Sequence, residues 1–150
     1  ILAGVSSEVA EPLQKYVESM RESGASPILG TGRTASPETA ALINGTYGHS
    51  LDYDDVLSMM PAHPSAVILS ALMAASDGSP SGAKVSGRDF IEAYITGVEV
   101  GGKLGVGMTN DHYQRGYHAT GTLALFSGLA AYDQSSSQSV SLFASGRPGM

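Results

Sequence analysis

Ala66-Val67-Ile68-Leu69-Ser70-Ala71-Leu72-Met73-Ala74-Ala75 is ten residues long, and nine of them are apolar. No charge, glycine or proline interrupts the run. A helix that is hydrophobic all round has no face to give to water, so it is buried in a protein larger than itself. Pro61 and Pro64 mark a break just before it, with Pro64 at a first-turn position, and Asp77 to Gly82 form a turn cluster after it. The segment predicts a central helix, and the rest of the chain is read as what surrounds it.

On the N-terminal side, Ser36-Pro37-Glu38 is a helix start. Serine caps free amides, proline pre-sets the first helical φ, and glutamate suits the positive end of the dipole. The helix should run through Ala40, Ala41, Leu42 and Ile43 towards Leu51. Gly45 and Gly48 lie inside it at about 1 kcal/mol each relative to alanine, which predicts close approach of another helix. Val9, Leu13, Tyr16, Val17 and Met20 recur at helical spacing within Ser7 to Met20, and Pro12 sits early enough to be tolerated. Ser23 to Thr34 is rich in glycine, serine and proline and reads as a loop.

On the C-terminal side, Ser86 and Asp89 form a capping pair ahead of Phe90, Ile91, Tyr94, Ile95 and Val98. The glycine-dense stretch Gly101 to Gly107 is expected to close that helix. Thr120 to Ala131 predicts a last helix, and Ser135 to Ser139 is a polar run. Nothing alternates with period two, and no hairpin signal is present. The expected fold is all-α, a multi-helix bundle.

The 150 residues are 42% apolar and 15% charged, with a net charge of −6. No basic run exists to neutralise a phosphate backbone, which argues against nucleic acid as a partner. An anionic substrate would need a locally positive pocket in an acidic protein. The absence of cysteine excludes disulfides, thiolate metal sites and a cysteine nucleophile. Ile1 to Val5 is too short for a membrane span or signal core, and Glu8 and Glu11 follow at once. A cytoplasmic location is therefore expected, with an organelle matrix as the other setting. The chain opens without methionine and closes on Ser141 to Met150, a loop-like tail, so a piece of a longer protein is expected.

Three clusters carry chemistry. His49-Ser-Leu-Asp52-Tyr-Asp54-Asp55 holds three carboxylates within four positions, which repel unless solvent, a cation or a histidine offsets them. On a helix end His49 and Asp52 share a face, as do Asp52 and Asp55. Taken singly, Asp54 and Asp55 read best as caps of the next element. His63-Pro64-Ser65 puts a histidine at the N-cap, where the dipole disfavours imidazolium and leaves a neutral ring. Such a ring accepts a proton or binds a carboxylate; packing alone is the competing explanation. Tyr113-Gln-Arg115-Gly-Tyr117-His118-Ala-Thr120-Gly-Thr122 brings a cation, a histidine and hydroxyls to another helix start, and Arg115 has the fork that fits a carboxylate. Gly97-Val-Glu-Val-Gly-Gly102-Lys103-Leu104 nearly spells a phosphate loop, but leucine replaces the required Ser/Thr and no strand precedes it.

Together these segments resemble the MmgE/PrpD family in content and order. The likeness rests on Ala41-Leu-Ile-Asn-Gly-Thr-Tyr-Gly-His-Ser-Leu-Asp-Tyr-Asp-Asp55, His63-Pro-Ser65, Ser86 to Val100 and Arg115-Gly-Tyr-His-Ala-Thr-Gly-Thr122. It covers most of residues 1 to about 125. The family includes 2-methylcitrate dehydratase, cis-aconitate decarboxylase and an iminodisuccinate epimerase. The resemblance implies the N-terminal part of a large helical domain, with a smaller α/β lid and further helices supplied by segments not matched here. It also implies a homodimer in the full-length form and no metal or organic cofactor. The substrate it implies is a small polycarboxylate that gains or loses a proton next to a carboxylate. By the same resemblance, Asp52, His63 and His118 line the pocket. Removing a proton next to a carboxylate needs a positioned base, and His63 is the expected proton-transfer group. Arg115, Tyr117, Ser65 and Lys103 are expected to bind substrate. A lysine and a tyrosine of the family's active site come from downstream. Two other readings stand beside this one. The first is a metal-dependent helical hydrolase in which His49, Asp52, Asp54, His63 and His118 hold Mg, Mn or Zn. The second is a helical piece that only packs or dimerises.

Overall fold

The computed structural model describes residues 1–78 and 85–135. Most of the expected turn at Asp77 to Gly82, all but the first residue of the polar run, and the tail lie outside the described residues. A short 3-10 turn, Leu2–Ser6, leads into α1 (Ala10–Met20). Two strands, β1 (Ser26–Ile28) and β2 (Arg33–Ala35), precede α2 (Pro37–His49) and α3 (Pro64–Gly78). The long α4 (Gly87–Met108), the single-turn α5 (Asp111–Gln114) and α6 (Ala119–Ser135) complete the described chain.

As its composition requires, α3 is enclosed. Ala66 and Ser70 face Gly45 and Gly48 of α2, while Val67 and Ala71 meet Gly128 of α6. Ile68 and Leu72 are buried with Ala93 of α4 and Ala131 of α6. None of Ala66 to Ala75 is exposed. Burial of Ile68 and Leu72 contributes about 1.5–3 kcal/mol apiece. The glycines of α2 thus permit the close approach expected of them.

The N-cap of α2 is as read: Thr39 N donates to Ser36 Oγ at 3.3 Å, with Pro37 in the first position. Ser36→Ala should cost about 1 kcal/mol. It should appear as a lower urea midpoint at unchanged m-value. Ser86 likewise accepts from Asp89 N at 3.2 Å and starts α4.

Two expectations need correction. The stretch Ser23 to Thr34 is not wholly loop, because β1 and β2 pair antiparallel with Ser26 opposite Ala35 and Ile28 opposite Arg33. Gly30 and Gly32, at φ 77° and 69°, let the chain reverse between them. Three-residue strands are too short to show alternation, and tertiary bonds hold them. Asn44 donates from Nδ2 to Pro27 O and accepts from Leu29 N at Oδ1, each at 2.9 Å. Ser26 Oγ donates to Ala74 O at 3.0 Å. The glycines after Val100 also do not close α4, which continues to Met108. A Cβ on Gly97 would lie 2.7 Å from Ser127 O, and one on Gly105 would lie 2.3 Å from Met59 O. Intrinsic propensity argues against glycine in a helix, but here the absent side chains let α4 press against α6 and the Met59-Met60 segment.

Candidate functional site

The site grows from the end of α2. The helix stops at His49, and Asp52 N donates back to His49 O at 3.0 Å. Asp52 takes a left-handed backbone with φ of 55°, which turns the chain under the helix end. This reversal delivers Asp54, not Asp52, to the histidine. His49 Nδ1 donates to the Asp54 carboxylate at 3.1–3.2 Å, and the Asp54 side chain is only 9% exposed.

His63 arrives from the start of α3, with Pro64 as the first helical residue. Its backbone N donates to Thr120 Oγ1 at 3.0 Å, which ties the first turn of α6 to the first turn of α3. Its ring lies against His49 with centroids 4.4 Å apart. His63 Nδ1 is 3.5 Å from Asp54 Oδ2, and Nε2 is 3.9 Å from Asp52 Oδ1. The His63 side chain is 19% exposed and that of Asp52 79%. The result is an imidazole backed by a buried carboxylate on one side and faced by an exposed carboxylate on the other.

Asp55 does what capping predicts, accepting from Ser65 N at 3.1 Å in the first turn of α3. For Asp54 the capping reading is overturned, since it bridges two histidines. The shared faces assigned to His49, Asp52 and Asp55 also fail, because they assume helical spacing beyond His49. Ser65 Oγ shares a 2.6 Å hydrogen bond with Tyr94 OH of α4.

The remaining expected residues are placed less closely. His118 directly precedes α6 and is exposed, and its carbonyl accepts from Thr122 Oγ1 at 2.9 Å. Arg115 ends α5 and is exposed. Among the described residues neither side chain forms a hydrogen bond or ion pair. Tyr117 is exposed and stacks on His112 at 5.1 Å, while His112 Nε2 lies 2.8 Å from Thr122 Oγ1. His112 carried no signal in the sequence. Lys103 pairs with Glu99 at 3.4 Å and lines a groove of about 330 Å³ with Met59, Val98, Gly102 and Val106. That groove shares no lining residue with the histidine pair. Of the five ligands of the metal-dependent reading, His49, Asp52, Asp54 and His63 come together and His118 does not join them.

No helix among the described residues is long and apolar enough to cross a membrane. The chain is 36% identical over 103 residues to the cis-aconitate decarboxylase of Mus musculus, covering 67% of this chain and 21% of that protein. It is 32% identical over 114 residues to the cis-aconitate decarboxylase-like protein oryM of Aspergillus oryzae, covering 73% and 24% respectively. The cis-aconitate decarboxylase of Aspergillus terreus is 33% identical over 110 residues, covering 70% and 22%. The chain therefore spans less than a quarter of the length of these relatives. A profile described as the MmgE/PrpD N-terminal domain matches residues 1–135, and with the His49–Asp54–His63 segment inside that match, the chain belongs to the MmgE/PrpD family.

Proposed function

We propose that the chain is the N-terminal part of the helical domain of a cofactor-independent lyase. Its substrate is a small di- or tricarboxylate, and its chemistry is proton transfer at a carbon next to a carboxylate, in a dehydratase- or decarboxylase-like reaction. The observation that carries this reading is His63 with Nδ1 against buried Asp54 and Nε2 on the more open side, near Asp52.

The Asp54 charge, 3.5 Å from Nδ1 without a hydrogen bond, favours the ring's proton on that nitrogen and leaves the Nε2 lone pair to take a proton from carbon. A C–H beside a carboxylate is weakly acidic, so the step needs a positioned base and cationic or hydrogen-bonding groups on the developing enolate. Asp52, 3.9 Å from Nε2, stabilises the imidazolium once that nitrogen has taken the proton. Arg115 and His118 hold substrate carboxylates, and Ser65 and Tyr117 also bind substrate. Lys103, on its separate groove, attracts an anionic substrate instead of touching the reacting carbon. The names of the relatives favour decarboxylation among the possible outcomes. The other pocket groups and the α/β lid come from the rest of the longer protein, which by resemblance is a homodimer.

The test is hydrogen–deuterium exchange at the methylene carbons of citrate and cis-aconitate in heavy water, followed by proton NMR. Exchange faster than in protein-free buffer is expected. A chain with helical circular dichroism that exchanges neither acid would overturn the proposal for this chain.

A further inference from the structure

The same cluster has a second property. His49, Asp52, Asp54 and His63 each offer a ligand atom, all within 4.8 Å of one another. Three of these atoms converge closely, because His49 Nδ1 and His63 Nδ1 lie 3.1 and 3.5 Å from the same Asp54 Oδ2. Zinc bonds of about 2.0–2.2 Å in a tetrahedron put ligand atoms about 3.4 Å apart, so the two separations from Asp54 Oδ2 are close to those between ligands of one bound ion.

Two further observations point to a cation. His63 Nδ1 is a buried nitrogen that lies 3.5 Å from Asp54 Oδ2 but makes no hydrogen bond among the described residues, and such groups call for an explanation. Asp54 is buried, yet among the described residues no lysine or arginine pairs with Asp52, Asp54 or Asp55. Two imidazoles and a carboxylate, without thiolate, suit zinc or cobalt better than magnesium or calcium. Once Nδ1 of His63 is engaged, Nε2–H faces Asp52 Oδ1. That is the outer carboxylate that orients many metal-bound histidines.

We propose that His49, Asp54 and His63 form a zinc-class divalent metal site whose occupation switches off proton acceptance by His63. On binding, each imidazole moves its proton from Nδ1 to Nε2, and the two Nδ1 lone pairs and one Asp54 oxygen replace water on the ion. No net proton is released from the rings. With its proton on Nε2, His63 has no lone pair left for a carbon acid. Only this consequence rests on the proposed proton-transfer role; the site itself does not.

The metal-free chain would be titrated with Zn²⁺ alone by calorimetry and with Co²⁺ alone by visible absorption. One ion per chain is expected, with cobalt bands typical of low coordination number. His49→Ala and Asp54→Asn should each weaken uptake at least roughly tenfold, and His112→Ala should leave it unchanged. No uptake, or uptake indifferent to both cluster variants, would overturn the site. NMR of the unsubstituted chain covers the case of a variant that fails to fold. Zinc should perturb the ring signals of His49 and His63 ahead of His112 and His118, and the reverse order overturns the site. Uptake is read without turnover, so a chain that exchanges no acid still tests it.

Discussion

His63→Ala is expected to lower α-carbon exchange by roughly 10²–10⁴-fold, the usual contribution of a positioned general base. Asp54→Asn should follow it most of the way, by about 10²-fold or more. The amide keeps the shape of the carboxylate but brings no charge, so Nδ1 of His63 is no longer held as the protonated nitrogen and Nε2 loses its standing as acceptor. Asp55→Asn is the matched control, one residue away. Asp55 touches Ser65 N in the first turn of α3 and neither histidine. Its replacement should cost about 1 kcal/mol of stability with exchange changed only a few-fold. Exchange rates measured by NMR on the four proteins, beside urea curves, decide the matter. If Asp55→Asn impaired exchange as strongly as Asp54→Asn, the assignment of the buried carboxylate to His63 would be wrong.

Gly105→Ala is expected to destabilise the protein by about 3 kcal/mol or more, a drop of roughly 10 °C or more in thermal midpoint. The added Cβ would fall 2.3 Å from Met59 O and 2.6 Å from Met60 Cα, backbone atoms that have no rotamer to change. Relief requires α4 to move off the Leu57–Ala62 turn, which is closed by Leu57 N donating to Ala62 O at 2.9 Å. Met60 and Ala62 are fully buried there with Ala119, Leu123 and Ala124 of α6, so the shift would loosen the segment that leads into His63. Gly107→Ala, two residues on, meets nothing within 4 Å. It should stabilise by up to about 1 kcal/mol through helix propensity alone. Similar melting shifts for the two variants would show that the packing argument fails.

Much of the fold was legible because it is written in local signals. Ser36-Pro37 and Ser86 start helices where their capping chemistry says they should. The apolar run from Ala66 demanded burial on every side and received it. Gly45 and Gly48 announced a close helix neighbour, and Ala66 is that neighbour. The hairpin was not legible, since β1 and β2 have three residues each and exist because Asn44 and the carbonyl of Ala74 bond to them from elsewhere in the chain. The continuation of α4 was not legible either. A glycine that ends a helix and a glycine that lets one helix touch another look alike until the neighbour is present.

The site divides in the same way. The sequence by itself determined the family, the clustering of His49, Asp52, Asp54 and Asp55, and the place of His63 at a helix start. These depend on residue type and on spacing along one chain. Only the tertiary structure decided which aspartate serves which purpose. Asp54 goes to the histidines and Asp55 to the cap, because the left-handed turn at Asp52 breaks the helical count after His49. It likewise bonded Thr120 to His63 across 57 positions and set Lys103 on a different groove. A helical repeat predicts neighbours only while the helix lasts. Past its end, the direction of the chain is set by one backbone angle and by what it packs against.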